Sequence, residues 1–319
     1  MQLPPHRRTL DGLVLLRRDL VASGVSDNQI ARLVRAGVLH RLRHGAYAPG
    51  DEWSGSSPED RHRLVCRAVL AACHESTALT HVSSVIERGV PVWGISLDTV
   101  HTTRIEPSRA SRRRGDWTPH RGVLGPDDVE TLDGVRVSRA ARSAVEVCTI
   151  ATTEASLVVV NRLLHSRAMT IEQFAEEVER CAMWPNSLTA DLVLRLANPR
   201  LESVGEDRFS YLAYQQSLPK PECQVEIFAE DGRLVARLDF AWPEAGVFLE
   251  FDGRMKYERF RRPGESLEDY LMREKAREND VSQLTGWTCI RVSWADLNRP
   301  RILADRIRRV LASRSPASA

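Results

Sequence analysis

The chain has 319 residues, which is long enough for two or three domains that each bury a core of their own. It is 42% hydrophobic and 28% charged, as is typical of a globular protein, and its net charge of +2 neither demands nor excludes a nucleic-acid partner. The longest apolar runs, 157–160 and 247–249, are far too short to span a bilayer, and the N-terminus lacks the apolar segment of a signal peptide. We therefore expect a cytoplasmic protein with no membrane partner.

The cysteines indicate neither a disulfide framework nor a zinc site. They lie at positions 66, 73, 148, 181, 223 and 289. These positions form no CxxC pair and no Cys/His array at the spacing of zinc ligands. We expect buried free thiols in a reducing compartment.

The first domain, 1–50, predicts two helices followed by a hairpin. The first helix covers 10–22, and the second begins with a capping box at Ser26 and Gln29 and continues to residue 36. Two short basic strands follow within 38–48. A helix, a capped second helix and a basic hairpin are the outline of a winged helix-turn-helix.

Basic side chains mark two segments as candidate nucleic-acid contacts. In the first domain they lie on the second helix and on the hairpin, at Arg32, Arg35, Arg41 and Arg43. Guanidinium groups placed in this way are expected to face backbone phosphates. A basic loop at 109–114 adds Arg112 and Arg113. The alternative is that these arginines only keep an ordinary domain surface soluble.

The middle of the chain predicts a mixed α/β domain, 51–150, and a helical connector, 151–198. The predicted elements of the mixed domain are two helices and two strands, at 58–75, 78–90, 98–104 and 135–139. The boundary to the next domain falls at 197–200, where Ala-Asn-Pro-Arg interrupts the helical pattern.

The last domain, 199–319, predicts the element order α-β-β-β-α-β. Its first helix begins with a capping box at Ser203 and Glu206. The remaining elements are three strands, a long helix and a final strand, at 223–229, 234–242, 247–252, 266–284 and 287–294.

The strand registers of this domain bring carboxylates together. A two-residue turn at 231–232 and a four-residue loop at 243–246 place apolar side chains on one face of the sheet. The opposite face carries Gln224, Asp239 and Glu250 in one row. Directly opposed residues have Cβ atoms about 5 Å apart. The two carboxylates must therefore share a positive charge.

Three cations could supply that charge. A divalent Mg²⁺ or Mn²⁺ ion suits hard oxygen ligands, and Asp252 could join the two facing carboxylates as a further ligand. Arg237 and Lys256 are the alternatives, as partners in structural ion pairs. Arg237 faces Glu226 in the predicted register and is less available. We favour the metal, and structural pairing stays open as the alternative.

Residues 199–297 resemble the very-short-patch-repair-like branch of the PD-(D/E)XK nuclease superfamily, whose core has this element order. The motifs that carry the resemblance are Glu206, Gln224-VEI, Arg237-LDFAWPE, Leu249-EFDG and Gly286-WTCIRVSW. The resemblance implies that Asp239 and Glu250 bind the metal and that Glu206 is the acidic residue on the helix. It also implies hydrolysis of phosphodiester bonds in DNA.

One motif position departs from the superfamily pattern. Asp252 stands where a lysine is expected, so that "EFD" replaces "EXK". Only three of the 45 basic residues are lysines, and one of them, Lys256, follows four residues later. We expect Lys256 to orient the attacking water or to stabilise the developing charge, and Gln224 to steady the metal-bound water.

The N-terminal part resembles the winged-helix and following domain of the AbiE-type antitoxin family of type IV toxin–antitoxin systems. The segments that carry this resemblance are 24–48, 78–84 and 133–147. The resemblance implies a DNA-binding module, with a toxin or another protein of the same operon as a further partner.

Together these observations predict an α+β multi-domain protein. It consists of a winged helix-turn-helix, a mixed α/β segment and a restriction-endonuclease-like αβββαβ core. The first functional hypothesis is a DNA-binding, Mg²⁺-dependent endonuclease. A homodimer is compatible with this hypothesis, since double-strand cleavage needs two sites, but the sequence does not determine the oligomeric state. The alternative is a non-catalytic DNA-binding regulator, or an antitoxin-like protein, with a degenerate nuclease core.

Overall fold

The computed structural model describes residues 10, 12–105, 115–122, 124–252 and 266–314. The chain divides into two compact units, Met1–Ala197 and Asn198–Ala319. Helices alternate with three separate sheets, so the protein is mixed α+β with more than one domain, as predicted. Within the described ranges, no helix combines the length and the apolar character that are needed to cross a bilayer.

Two helices and a small antiparallel sheet open the first unit. Their bounds are β1 Leu15–Leu16, α1 Arg17–Ala22, α2 Asp27–Arg35, β2 Leu39–Arg43 and β3 Ala46–Pro49. The strand order is β1-β3-β2. The capping box of α2 is confirmed, because Ser26 Oγ accepts a hydrogen bond from Gln29 N and the Gln29 side chain accepts one from Ser26 N. Ile30 of α2 packs against Leu39 and Tyr47 of the sheet.

Helix α1 is shorter than the prediction of 10–22. It begins at Arg17, because the two preceding residues pair with β3 as strand β1. Leu10 is buried apart from the helix, in a cluster with Ala48 and Leu64. The apolar positions that predicted one long helix are therefore divided between strand β1 and helix α1, whose Leu15 and Leu20 pack against the same cluster.

A five-stranded sheet with flanking helices forms the next part of the first unit. Its elements are α3 Gly50–Gly55, α4 Pro58–Leu70, β4 Thr77–Leu79, α5 His81–Glu87, β5 Val100–Arg104, β6 Trp117–His120, β7 Val129–Leu132 and β8 Val135–Ser138. The strand order is β6-β5-β4-β8-β7. Strand β4 lies at the centre, antiparallel to β5 and parallel to β8. The predicted helix over 78–90 is therefore wrong at its start, where the chain is a central strand.

Four helices complete the first unit. They are α6 Ala140–Ile150, α7 Thr153–His165, α8 Ile171–Arg180 and α9 Ser187–Leu196. Helix α6 packs against α5 on one side and against α7, α8 and α9 on the other. The segment predicted as a connector, 151–198, thus supplies helices that pack within the first unit. The apolar run 157–160 is fully buried in α7.

The second unit contains one four-stranded sheet and four helices in its described part. They are α10 Val204–Gln215, β9 Glu222–Phe228, β10 Leu234–Trp242, β11 Val247–Asp252, α11 Leu267–Thr285, β12 Thr288–Ser293, α12 Trp294–Leu297 and α13 Pro300–Arg314. The first six follow one another in the predicted order. The strand order is β12-β11-β10-β9, with β11 and β12 parallel and the other neighbours antiparallel.

The first hairpin of this sheet keeps most of its predicted register but closes differently. Arg237 pairs with Glu226, as predicted. The prediction of a two-residue turn is wrong. Ala229 N donates to Arg233 O at 2.9 Å, and this hydrogen bond closes a turn of three residues, 230–232. Gly232 ends this turn at φ +80°, which a residue without Cβ adopts at little cost. A bulge between Leu234 and Ala236 then restores the register.

Both faces of the sheet carry a core, which corrects the prediction of a single apolar face. Phe240 and Leu249 belong to one cluster with residues of α10 and α13. Ala241 and Phe248 belong to a second cluster, with Val281 of α11. The long helix needs an apolar surface to pack on. Its cluster combines Ala241 and Phe248, from the face predicted to be acidic, with Ile227, Ala236 and Leu238, from the face predicted to be apolar. The carboxylates therefore occupy only part of that face.

Candidate functional site

Three arginines of the first unit form an exposed surface that we call the N-terminal basic surface: Arg32, Arg35 and Arg41. The first two lie one turn apart on α2, and the third lies on β2. All three side chains are exposed, whereas Ile30 on the same helix is buried. Guanidinium groups in this arrangement can bind phosphate oxygens through paired N–H donors.

An ion pair joins the two helices beside this surface. Arg17 Nε donates to Asp27 Oδ1 at 2.7 Å and Arg17 Nη2 donates to Asp27 Oδ2 at 2.5 Å. The hydrogen bonds from Arg17 lower the pKa of the Asp27 carboxyl. Both side chains are exposed, so we expect the pair to orient α2 relative to α1 and to add little stability.

Arg43 does not belong to the basic surface, which corrects its predicted role. Only 9% of its side chain is exposed, and its Nε lies 3.2 Å from Asp116 Oδ2. Its guanidinium carbon lies 6.0 Å from the ring centroid of Trp117. A buried cation needs a paired carboxylate, and Arg43 uses Asp116 for this purpose. Arg112 and Arg113 of the predicted basic loop lie outside the described residues.

Asp239 of the second unit links the two central strands of the sheet. Its side chain is buried, and Oδ2 accepts a hydrogen bond from Phe251 N of β11 at 2.8 Å. Glu250 on β11 is half-buried. Lys256 and the side chain of Asp252 lie outside the described part of the chain. Of the carboxylates predicted to face one another on the sheet, Asp239 thus forms a hydrogen bond between strands β10 and β11.

Glu206 and Gln224 come together in a buried hydrogen-bond network. Gln224 Nε2 donates to Glu206 Oε2 at 2.9 Å, and Glu202 N donates to the same oxygen at 2.9 Å. Ser203 Oγ donates to Glu206 Oε1 at 2.6 Å. The predicted capping box is partly wrong, because the Glu206 carboxylate binds the Glu202 N–H in place of the Ser203 N–H. Gln224 adopts φ +55°, which is uncommon for a non-glycine residue.

Arg237 uses a different carboxylate from the one predicted. Its Nη2 donates to Glu202 Oε1 at 2.5 Å, and both side chains are partly exposed. Glu226 remains its backbone neighbour across the strands. The partner differs because the side chain extends beyond the sheet to the segment before α10. Arg237 therefore adds a positive charge next to the Glu206 network.

Three histidines of the first unit meet at a place that sequence reasoning missed. We call His81, His101 and His120 the histidine cluster. Each offers one ring nitrogen, and these nitrogens lie within 4.8 Å of one another. The prediction that the chain lacks a zinc-ligand array considered only ligands close together in sequence. A histidine on each of three separate segments was the available signal, but strand pairing was needed to relate them.

Most of the chain is similar to proteins of Mycobacterium tuberculosis, and its N-terminal segment matches a described family model. Uncharacterized protein MT2308 of Mycobacterium tuberculosis (strain CDC 1551 / Oshkosh) is 27% identical over 280 residues, which cover 87% of this chain and 94% of that protein. Uncharacterized protein Rv2248 of the same species (strain ATCC 25618 / H37Rv) matches with the same identity and coverage. The crystal structure of the RV2827C protein from Mycobacterium tuberculosis is similar with a TM-score of 0.39 and 15% sequence identity, over 68% of this chain and 84% of that chain.

A family model matches the segment that contains α1, α2 and the β2–β3 hairpin. The match covers residues 12–50. The model is AbiEi_4, described as "Transcriptional regulator, AbiEi antitoxin". The resemblance of the N-terminal part to AbiE-type antitoxins, predicted from the residues, is thereby confirmed for this segment.

Proposed function

We propose that the protein is a DNA-binding transcriptional regulator of the antitoxin type, which contacts DNA through its first fifty residues. The observation that carries the proposal is the match of residues 12–50 to the AbiEi antitoxin regulator model. The N-terminal basic surface lies within the matched segment. This function is the alternative hypothesis of the sequence analysis, and it is better supported than the nuclease hypothesis.

In this proposal the helix and the hairpin have different roles. Helix α2 acts as the recognition helix of a winged helix-turn-helix, because Arg32 and Arg35 share its exposed side. The β2–β3 hairpin acts as the wing, from which Arg41 reaches a neighbouring phosphate. The capping box holds the beginning of α2, and the Arg17–Asp27 pair holds its direction. A toxin from the same operon is the protein partner that the antitoxin match supports.

Removing two guanidinium groups from α2 is expected to weaken DNA binding. For Arg32→Ala/Arg35→Ala we expect a loss of affinity on all sequences and a shallower dependence of affinity on salt, by about one slope unit for each lost phosphate contact. Fluorescence anisotropy on the fragment upstream of the protein's own gene, at several salt concentrations, measures both quantities. A shuffled fragment of equal composition reports the sequence preference.

Arg195→Ala is the matched control, because Arg195 is exposed on α9 of the same unit. It should bind DNA as the wild type does. Equal affinity and salt dependence of the double variant and the wild type would contradict the assignment of α2. A wild type that binds both fragments equally well would contradict the regulator function.

A second candidate function is metal-dependent cleavage of DNA by the second unit. It is favoured by the buried network of Glu206 and Gln224 and by the buried Asp239 on the neighbouring strand. These are three of the residues that the nuclease resemblance assigns to the site. In that function Asp239 and Glu250 would hold Mg²⁺ or Mn²⁺, and Glu206 and Gln224 would orient the site. The ion, when bound, would supply activation of the attacking water.

Cleavage assays on Asp239→Asn separate this function from the first. The wild type with Mg²⁺ or Mn²⁺ is expected to nick supercoiled plasmid DNA, and Asp239→Asn to lose this activity. The asparagine Oδ1 still accepts the hydrogen bond from Phe251 N, so the fold should persist. Asp231→Asn, in the exposed turn of the hairpin, should cleave normally. If the wild type cleaves neither supercoiled, linear, mismatched nor single-stranded DNA, the nuclease function is rejected while the regulator function stands.

A further inference from the structure

The histidine cluster is assembled by three neighbouring elements of the five-stranded sheet. His81 is the first residue of α5 and is separated from β4 by Thr80 alone. His101 lies on β5, and His120 ends β6. Strands β5 and β6 run parallel, with Thr103 opposite His120. His101 and His120 are therefore diagonal neighbours on one face of the sheet. Their Nδ1 and Nε2 atoms, respectively, are 2.8 Å apart.

We propose that His81, His101 and His120 bind one divalent transition-metal ion, with zinc as the preferred ion. Imidazole nitrogens are the commonest protein ligands of zinc and also suit cobalt, nickel and copper. In a tetrahedral site with Zn–N distances of about 2.0–2.1 Å, the ligand nitrogens are about 3.3 Å apart. The observed separations, from 2.8 Å to at most 4.8 Å, bracket that value. The His81 and His120 rings are stacked, with an interplanar angle of 18°. Metal binding therefore requires one of these two rings to turn until the lone pairs of all three rings point at the ion.

A contact of Nδ1 with Thr80 leaves Nε2 of the His81 ring as the nitrogen that can bind a metal. Its Nδ1 lies 3.0 Å from Thr80 Oγ1, which in turn lies 3.2 Å from Thr103 Oγ1. When Nδ1–H donates to the threonine hydroxyl, the lone pair is on Nε2. A metal-bound histidine almost always gives its second ring nitrogen an oxygen partner of this kind.

The backbone at His81 is held in an uncommon conformation by a buried carboxylate. His81 has φ +52°, in the left-handed region that a residue with a Cβ rarely adopts. Its N–H donates to Glu146 Oε2 at 2.9 Å, and that carboxylate also accepts from Ser138 and Arg142. Backbone strain of this kind persists where the surrounding structure enforces it, often at functional sites. Here it places the His81 ring 3.7 Å from the His120 ring, centroid to centroid.

The cluster is open to an entering ion and leaves one coordination position free. His101 and His120 are only half-buried, so an ion can enter from solvent. Three protein ligands leave a fourth position for water or an added ligand.

Metal titration of the full-length protein tests the proposal. After treatment with a chelator, the wild type should bind one Co²⁺ per chain, with the visible absorption of a four-coordinate ion, and Zn²⁺ should displace it. His120→Asn should lower the Co²⁺ affinity at least about tenfold. His165→Asn is the matched control, because His165 is exposed at the end of α7, and it should bind as the wild type does. Equal binding by His120→Asn and the wild type would overturn the proposal.

Two further measurements keep the test independent of the stability of one variant. His120→Cys should retain Zn²⁺, because a thiolate replaces an imidazole as a ligand. In the wild type, the imidazole ¹⁵N resonances of the three histidines should shift on addition of one equivalent of Zn²⁺. If these resonances do not move, the three rings form a hydrogen-bonded stack of neutral imidazoles and the metal site does not exist.

Discussion

Glu87→Ala is expected to lower the free energy of unfolding by about 3–5 kcal/mol. It removes the carboxylate that pairs with Arg67 and one of the two carboxylates beside Arg63, which also pairs with Asp60. Glu87 has 0% exposure at the end of α5. Its carboxylate accepts hydrogen bonds from Arg67 Nη1 and Nη2 at 3.1 and 2.9 Å, and Arg63 Nε lies 3.5 Å away. Arg63 is buried and Arg67 is partly buried on α4, so these ion pairs connect α4 to α5.

Urea unfolding at pH 7, followed by circular dichroism and tryptophan fluorescence, measures this effect. Glu176→Ala is the control, because Glu176 is exposed on α8, and it should change stability by no more than about 0.5 kcal/mol. Glu87→Gln keeps the shape of the side chain without its charge and should fall between the control and the alanine variant. A Glu87→Ala protein as stable as the control would mean that Asp60 is a sufficient counter-charge for Arg63 and that Arg67 finds another partner.

Gly50→Ala is expected to destabilise the N-terminal segment by about 3 kcal/mol or more, and to abolish DNA binding if the proposed function is right. A Cβ at residue 50 would lie 1.8 Å from the backbone oxygen of Gly37 and 2.9 Å from its carbonyl carbon. At this place the chain after β3 crosses the turn that ends α2, and Gly50 N donates to Val38 O at 2.9 Å. Because the obstructing atoms belong to the backbone, no side chain can move aside.

Thermal unfolding and DNA binding of Gly50→Ala should be compared with those of Gly55→Ala. Gly55 ends the same short helix α3, and a Cβ there would meet no atom within 4 Å. We expect Gly55→Ala to be neutral or to stabilise by up to about 1 kcal/mol, since alanine has fewer unfolded conformations. If both variants unfold and bind DNA as the wild type does, the crossing at Gly37 is not as tight as the structure has it.

Local signals predicted many elements of this chain because their causes are local. The capping box at Ser26 and Gln29 starts α2, and Ser203 caps α10, because a side-chain oxygen satisfies an N–H group only three residues away. The Asp-Gly pair marked a hairpin, although an added turn residue and a bulge changed its details. Short strands without clear alternation, such as β4 and β6, were missed because their place in the sheet depends on distant partners.

The partners of charged and metal-binding side chains required the tertiary structure. Arg43 was expected on the phosphate-facing surface, but it pairs with Asp116, which is far away in sequence. Arg237 was expected near Glu226, but its guanidinium reaches Glu202 in front of α10. In both cases the long arginine side chain can reach several carboxylates, and the packing of helices and strands determines which carboxylate lies near its guanidinium group.

The sequence by itself determined the two-helix and hairpin outline within residues 12–50, the segment that also matches the AbiEi antitoxin model. It also determined the α-β-β-β-α-β order of the second unit, because helix caps, turns and periodicity are encoded within a few residues. Only the tertiary structure decided that His81, His101 and His120 converge, since this depends on the parallel pairing of β5 with β6 and on the start of α5 beside β4. Residues that no local pattern relates become neighbours when strand order and register are set.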